Sequence, residues 1–281
     1  MKKLKIIIPI ICCLVFGIGC SNNSHSDIYK TDNSSTDDVV VEVESEEEVI
    51  NNIIKKYDPI QPTEWGEKVN GVVNKINTKK KIIALTFDAC GGKYGSDYDN
   101  DLIQYLIDEQ IPATLFVNCR WIEVNKDKFL ELANNDLFEI ENHGYEHRPL
   151  SVTSNSIYGI DGTGSIKGVI DEIKLNEKTI YELTGRKTKY FRSGTAYYDD
   201  ISIKIASDLG YKAIGFSVNG DAGATFSKSQ IENALSKSTS GDIVICHFNQ
   251  PKKYTFEGLQ YALKELRDKG YSFVKLEDTN I

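Results

Sequence analysis

The chain has 281 residues, a formal net charge of −8 at pH 7 and 40% hydrophobic residues, enough apolar material for a large folded domain. Residues 21–57 carry nine acidic residues against three lysines, most of that net charge, so the charge says little about the partners of the chain beyond that point. No basic patch with interleaved aromatic residues occurs, which argues against a nucleic-acid partner.

In chain order, Lys2, Lys3 and Lys5 come first, followed by an apolar stretch over 6–16. That stretch is too short to cross a bilayer as a helix and reads as a secretory signal. Gly19-Cys20-Ser21 resembles a bacterial lipobox, with Gly17 where leucine is usual. Residues 1–20 are therefore expected to be a signal segment in which Cys20 is the lipid attachment point. The mature protein would then sit on the extracytoplasmic face of the membrane by a lipid anchor. Cleavage near Gly19 and simple secretion is the alternative, and both imply export. Residues 21–57 are rich in Asn, Ser, Asp and Glu and end in a strongly acidic run, the composition of a disordered acidic linker.

Residues 58–281 read as one domain. Short apolar runs over 82–87, 113–117, 137–142, 189–191, 213–218, 242–246 and 272–276 predict seven strands. Amphipathic stretches over 99–109, 126–134, 166–183, 200–209, 230–237 and 256–269 predict helices between them. Gly185, Gly210 and Gly270 stand at helix stops, Asp99 is suited to cap the first helix, and Ser229 to Glu232 fits a capping box. Strand–helix alternation implies parallel strands, in an open sheet or a barrel. The run after the first strand, Asp88-Ala89-Cys90-Gly91-Gly92, lacks the spacing of a dinucleotide fingerprint.

Only four histidines occur, and three lie where a hydrolytic metal site needs them. His143 and His147 form an H-x-x-x-H pair after the third strand, His247 ends the sixth, and the first ends on Asp88. The pair can hold a cation, the carboxylate can take a proton from water, and the lone imidazole can give one to a leaving group. Asp88, His143, Arg192, Asp221 and His247 all fall at or just past the C-terminal ends of separate strands. A closed sheet gathers those ends into one ring, so the barrel is the expected fold.

From about Lys81 to Leu276 the chain resembles the polysaccharide deacetylase family, the carbohydrate esterases of family four. The resemblance rests on Thr86-Phe87-Asp88, His143-Gly144-Tyr145-Glu146-His147, Phe191-Arg192, Asp221 and Ile245-Cys246-His247, in that order. It implies an irregular (β/α)7 barrel that hydrolyses N-acetyl groups on an acetylated amino-sugar glycan, peptidoglycan or a related surface polymer. By the same resemblance Asp88 is the catalytic base, His143 and His147 the metal ligands, and Arg192 the residue that orients the base. Asp221 pairs with the catalytic histidine, and His247 is the general acid. The cofactor implied is a divalent metal, with zinc expected. The chain departs from the family at Ala89, where the third metal ligand is usually an aspartate. Either the metal is held by the two histidines and waters, or Asp97, Asp99 or Asp88 itself completes the sphere, although Asp99 is the more natural helix cap. Ser193-Gly194-Thr195 also stands where prolines and a tyrosine are common.

Strand alternation turns Cys246 away from His247 and toward the helices, as a buried structural thiol. Cys90 and Cys119 follow neighbouring strands and could be bridged in an exported protein; a metal role for them is disfavoured. Trp121, Tyr145, Tyr197, Tyr198 and Phe248 are candidates to line a sugar groove, with Trp121 and Tyr145 foremost, and Asn249 to contact substrate. Two further readings stay open: a hydrolase of another small C–N amide, and a non-catalytic glycan-binding lipoprotein.

Overall fold

The computed structural model describes residues 45–58 and 60–281. The signal segment, Cys20 and the linker before Ser45 lie outside them. In chain order the strands are β1 (Trp65–Gly66), β2 (Ile82–Ala89), β3 (Ala113–Val117), β4 (Phe138–Asn142), β5 (Ser156–Ile157) and β6 (Ile160–Asp161), then β7 (Tyr190–Phe191), β8 (Tyr198–Asp199), β9 (Lys212–Ala213), β10 (Val218–Asn219), β11 (Ile243–His247) and β12 (Ser272–Val274). The helices are α1 (Glu46–Tyr57), α2 (Asn100–Asp108), α3 (Cys119–Val124), α4 (Lys126–Ala133), α5 (Ile166–Thr184), α6 (Asp200–Asp208), α7 (Lys228–Ser236) and α8 (Thr255–Asp268).

The main sheet runs β10-β11-β2-β3-β4-β7-β9, every pairing parallel, with β12 on the first residues of β2. Apart from β12 this order follows the chain cyclically and opens only between β9 and β10, so the sheet is the curled, irregular barrel expected. The predicted strand over 213–218 is split at that seam. Ile214 pairs with Val73 instead, and the Phe216 N–H donates to Asn74 Oδ1 at 3.1 Å. The break frees the carbonyls of Ile214 and Gly215, which accept from Arg192 inside the barrel.

Alternation along each strand sorts the side chains into two layers. On β2, Ile83, Leu85, Phe87 and Ala89 enter a core cluster with α2, α7 and α8, while Ala84 joins Phe116, Ile214 and Ile243 inside the barrel. On β11, Val244 and Cys246 belong to the helix-side core, leaving Ile245 and His247 inward. Cys246 is thus the buried structural thiol expected.

The acidic stretch does not remain a linker to residue 57. Ser45 caps α1 by accepting from the Glu48 N–H at 3.2 Å, and Glu46, Glu47 and Glu48 occupy the first turn, Lys55 and Lys56 the last. That charge order complements the helix dipole. Averaged composition conceals an apolar stripe, Val49, Ile50, Ile53, Ile54 and Tyr57, which packs on a core shared with α5 and α6. The Tyr57 hydroxyl donates to Asp208 Oδ2 at 2.9 Å. Asp99 caps α2 as expected, accepting from the Leu102 N–H at 3.0 Å. The capping box lies two residues earlier than expected, between Ser227 and Gln230.

Candidate active site

Parallel register sets the strand ends side by side: His247 lies opposite Asp88, Ala89 opposite Val117, and Asn142 opposite both Val117 and Phe191. The inward positions at these ends, with the loops that follow, surround a cavity of about 680 Å³. Asp88, Cys90, His147, Thr195, His247 and Asn249 are among its lining residues.

Asp88 is held from behind. Arg192, fully buried, donates through Nη1 to Asp88 Oδ1 at 2.7 Å and to Thr86 Oγ1 at 2.9 Å. Its remaining nitrogens donate to the Ile214 and Gly215 carbonyls, and its plane lies over Phe116. A buried guanidinium this constrained keeps one carboxylate oxygen fixed and leaves Oδ2 free, 3.6 Å from His143 Nε2.

On the other side, His247 Nδ1 lies 2.9 Å from Asp221 Oδ1, and the His247 backbone N–H and the Thr255 hydroxyl both donate to Oδ2. With Nδ1–H spent on Asp221, Nε2 is the nitrogen left for a ligand. Burial would push the His247 pKa down. The Asp221 carboxylate outweighs it, with the Cys90 sulfur adding to it, and holds the imidazole well above its ordinary value.

His143 and His147 meet edge to face with ring centroids 4.8 Å apart. His143 Nδ1 donates to the Arg192 carbonyl at 2.9 Å, which leaves the Nε2 lone pair directed at Cys90 Sγ, 4.0 Å away, and at Asp88. His147 Nε2 is buried with no hydrogen-bond partner. Cys90, His143 and His147 each bring one donor atom within 4.8 Å of the others'. Burial acts to raise the Cys90 pKa, but the surrounding imidazoles lower it well below a free thiol's. Burial likewise works against a charged His143, while Asp88 and Cys90 pull its pKa up. Negative groups and imidazole nitrogens face one another across the pocket, an environment a divalent cation satisfies in place of the imidazole protons. The donors present fit a metal.

The loop carrying the two histidines is built by a buried polar network that sequence reasoning missed. Glu172 on α5 accepts from the Glu146 and Arg148 N–H groups at 2.9 and 3.1 Å. Asn118 Nδ2 donates to the His143 and Gly144 carbonyls, and Asn142 Oδ1 accepts from the Gly144 N–H and from Asn176. Gly144 has φ +82°, and a Cβ there would lie 2.3 Å from Glu172 Oε1, so only glycine fits.

The structure therefore brings together Asp88, Arg192, His143, His147, Asp221 and His247. Other expectations are corrected. Trp121 is fully buried in the core, its indole N–H donating to the Asp97 carbonyl, so it cannot face a glycan. Tyr145 sits in the histidine loop but does not line the cavity, and Tyr198 and Phe248 are buried. Asn249 lines the cavity, with Nδ2 donating to the Gly95 carbonyl and Oδ1 unpartnered. Asp99 is spent as a helix cap and Asp97 lies outside the donor cluster, so neither replaces the ligand missing at Ala89. Cys90 and Cys119 are both free thiols; Cys119 Sγ contacts Thr179 Oγ1. The aromatic groups at the cavity are instead Tyr94, Tyr158 and Phe216, with Tyr197 and Trp65 continuing from Tyr158.

A curled parallel sheet whose strand ends carry an arginine-clamped carboxylate, an aspartate-paired histidine and a histidine pair defines a hydrolase-type barrel. Residues 75–214 match the model of the family Polysaccharide deacetylase. An uncharacterised 30.6 kDa protein of Geobacillus stearothermophilus is 25% identical over 78% of this chain and 80% of its own length. Among solved structures, Bacillus subtilis PdaA, a family 4 carbohydrate esterase, superposes with a TM-score of 0.59 at 23% identity, covering 82% of this chain and 88% of that one. BA3943, a CE4 family pseudoenzyme from Bacillus anthracis, gives a TM-score of 0.61 at 19% identity, covering 83% and 81%.

Proposed function

We propose that this protein is a metal-dependent hydrolase that removes N-acetyl groups from an acetylated amino-sugar glycan, peptidoglycan or a related surface polysaccharide. The observation that carries this reading is the pairing of Asp88–Arg192 with His247–Asp221 across one cavity, with His147 on its lining and the His143 ring packed edge to face against it. Asp88 Oδ2 accepts a proton from the attacking water, while Arg192 fixes the carboxylate. Water oxygen bonds to the acetyl carbon, the C–N bond breaks, and His247 Nε2 protonates the departing amine nitrogen. Amide nitrogen is a poor leaving group, so this last transfer matters as much as the attack. A divalent metal held by the histidine pair would polarise the acetamide carbonyl and ease the deprotonation of water.

Substrate class is supported by the rim. Tyr94 and Tyr158 are exposed beside the cavity, and Tyr158, Tyr197 and Trp65 follow one another at centroid distances of 5.8 and 5.6 Å. Such a row of rings suits the apolar faces of successive pyranose units. Thr195 Oγ1, buried without a partner at the cavity, can bond a sugar hydroxyl or the acetyl oxygen. Action outside the cytoplasm, tethered through Cys20, is part of the proposal. It is supported by the basic and apolar N-terminal segment and the Gly19-Cys20-Ser21 motif.

The test is mass spectrometry of acetylated chitooligosaccharides and peptidoglycan fragments incubated with zinc-loaded protein and with Asp88→Asn. Loss of acetyl mass with the first and not the second is expected. A second reading, a glycan binder without activity, is favoured by Ala89 at the usual ligand position. Oligosaccharide binding with no change in mass under zinc, cobalt or manganese would establish it and overturn the deacetylase.

A further inference from the structure

We propose that Cys90 is the third protein ligand of the metal site, so that a thiolate, with His143 and His147, forms a Cys-His-His centre in this chain. Four observations converge. Among the described residues, Cys90, His143 and His147 are the one group of three such side chains with donor atoms mutually within 4.8 Å. His147 Nε2 is buried and lacks a hydrogen-bond partner, an unfavourable arrangement unless something binds there. His143 Nδ1 is committed to the Arg192 carbonyl, which fixes Nε2 as the free lone pair and aims it at Cys90 Sγ. Of the competing carboxylates, Asp99 is engaged as the cap of α2 and Asp97 lies outside the donor group, while Asp88, with Oδ1 clamped by Arg192, keeps Oδ2 for the attacking water.

Local backbone holds the sulfur in place. Residue 90 has the inward parity of Asp88, whereas Ala89 turns into the helix-side core. The Arg120 guanidinium donates to the Cys90 carbonyl at 3.0 Å, and Gly91 follows at φ +69°, where a Cβ would lie 2.5 Å from the Trp121 nitrogen. The chain must therefore turn directly after Cys90. In a tetrahedral zinc site a sulfur and an imidazole nitrogen lie about 3.6 Å apart, given the usual bond lengths. The Cys90–His143 pair, at 4.0 Å, is a few tenths of an ångström from that, and drawing in all three donors from separations of up to 4.8 Å takes side-chain movement of about 1 Å.

The donor set has a chemical consequence. Thiolate and imidazole favour borderline-soft cations, zinc or cobalt(II), over manganese or magnesium, which prefer oxygen. The thiolate ligand rests on the proposed function only in placing a cation in this cavity, and it is read by ligation rather than turnover.

The test is cobalt(II) titration of the metal-free protein, followed by absorbance. A thiolate-to-cobalt charge-transfer band in the near ultraviolet should saturate at one equivalent, survive in Cys119→Ser and vanish in Cys90→Ser. Zinc affinity should fall at least tenfold in Cys90→Ser, with the far-ultraviolet circular dichroism unchanged. Should that variant fail to fold, alkylation of the wild-type protein mapped by peptide mass spectrometry gives the same answer: zinc should protect Cys90 and leave Cys119 unaffected. A bound cobalt without the band, or Cys90 alkylated at one rate with and without zinc, overturns the proposal. A full band together with no deacetylation would sink the enzymatic reading and leave the thiolate ligand standing.

Discussion

Replacing Glu172 with alanine isolates how the fold aims its histidines, because Glu172 touches neither the cavity nor any metal donor. Its carboxylate accepts the Glu146 and Arg148 N–H groups on either side of His147, which itself sits at φ +62°, in the left-handed region. Burial raises the Glu172 pKa, and those two amide bonds and the nearby His147 oppose it. Removing the side chain leaves two amides unpaired at about 1–3 kcal/mol each; both are only partly buried, so about 2–3 kcal/mol in total is expected. If ordering of the loop is carried into binding, zinc affinity falls about 30- to 150-fold at 1.4 kcal/mol per decade. Glu172→Gln keeps one acceptor but turns an amide donor toward a backbone donor, so it should rescue little. The assay is zinc competition against a chromophoric chelator, with hydrogen exchange at the Glu146 and Arg148 amides. Unchanged affinity with unchanged amide protection in Glu172→Ala would refute the positioning role.

Three other outcomes are expected. Asp221→Asn removes the partner that holds the His247 pKa up, so the high-pH limb of the rate profile should move to lower pH; a limb that stays put argues against His247 as the acid. Burial, then the Glu139 carboxylate, holds the Glu141 pKa well above its ordinary value, so folded-state stability is complete below the ordinary carboxylate range and declines as pH rises through it. Glu141→Gln keeps the acceptor for the Lys189 and Tyr190 N–H groups and can donate to the unpartnered Glu139 Oε1, so its melting temperature should exceed wild type at neutral pH and match it in acid; parallel curves would contradict this. Ile53→Ala in α1 should lower stability by about 2–4 kcal/mol in urea melts, and a change near zero would mean that the helix does not pack on the domain.

Much of the site was legible because strand ends are legible. Apolar runs over 82–87 and 242–246 place Asp88 and His247 just where a parallel register sets them side by side. The histidine spacing and the helix cap at Asp99 are local facts of the same kind. Cys90 was within reach of the parity argument that placed Cys246, since residue 90 shares the face of Asp88. The acidic run misled because charge averaged over a window hides an apolar stripe spaced by helical turns.

The sequence by itself determined the alternation of the main strands and helices from residue 82 onward and placed Asp88, His247 and the histidine pair at strand ends, since these follow from periodicity and from the chemistry attached to it. Only the tertiary structure decided what surrounds them. Trp121 became core because its indole finds the Asp97 carbonyl beneath the loop, and the aromatics at the cavity came from Tyr94 and from the hairpin carrying Tyr158. Cys90 was set beside the histidine pair, and the histidine loop was shaped by Asn118, Asn142, Asn176 and Glu172, which come from separate elements. Contacts between residues distant in sequence depend on how the layers close, and no local pattern encodes that closure.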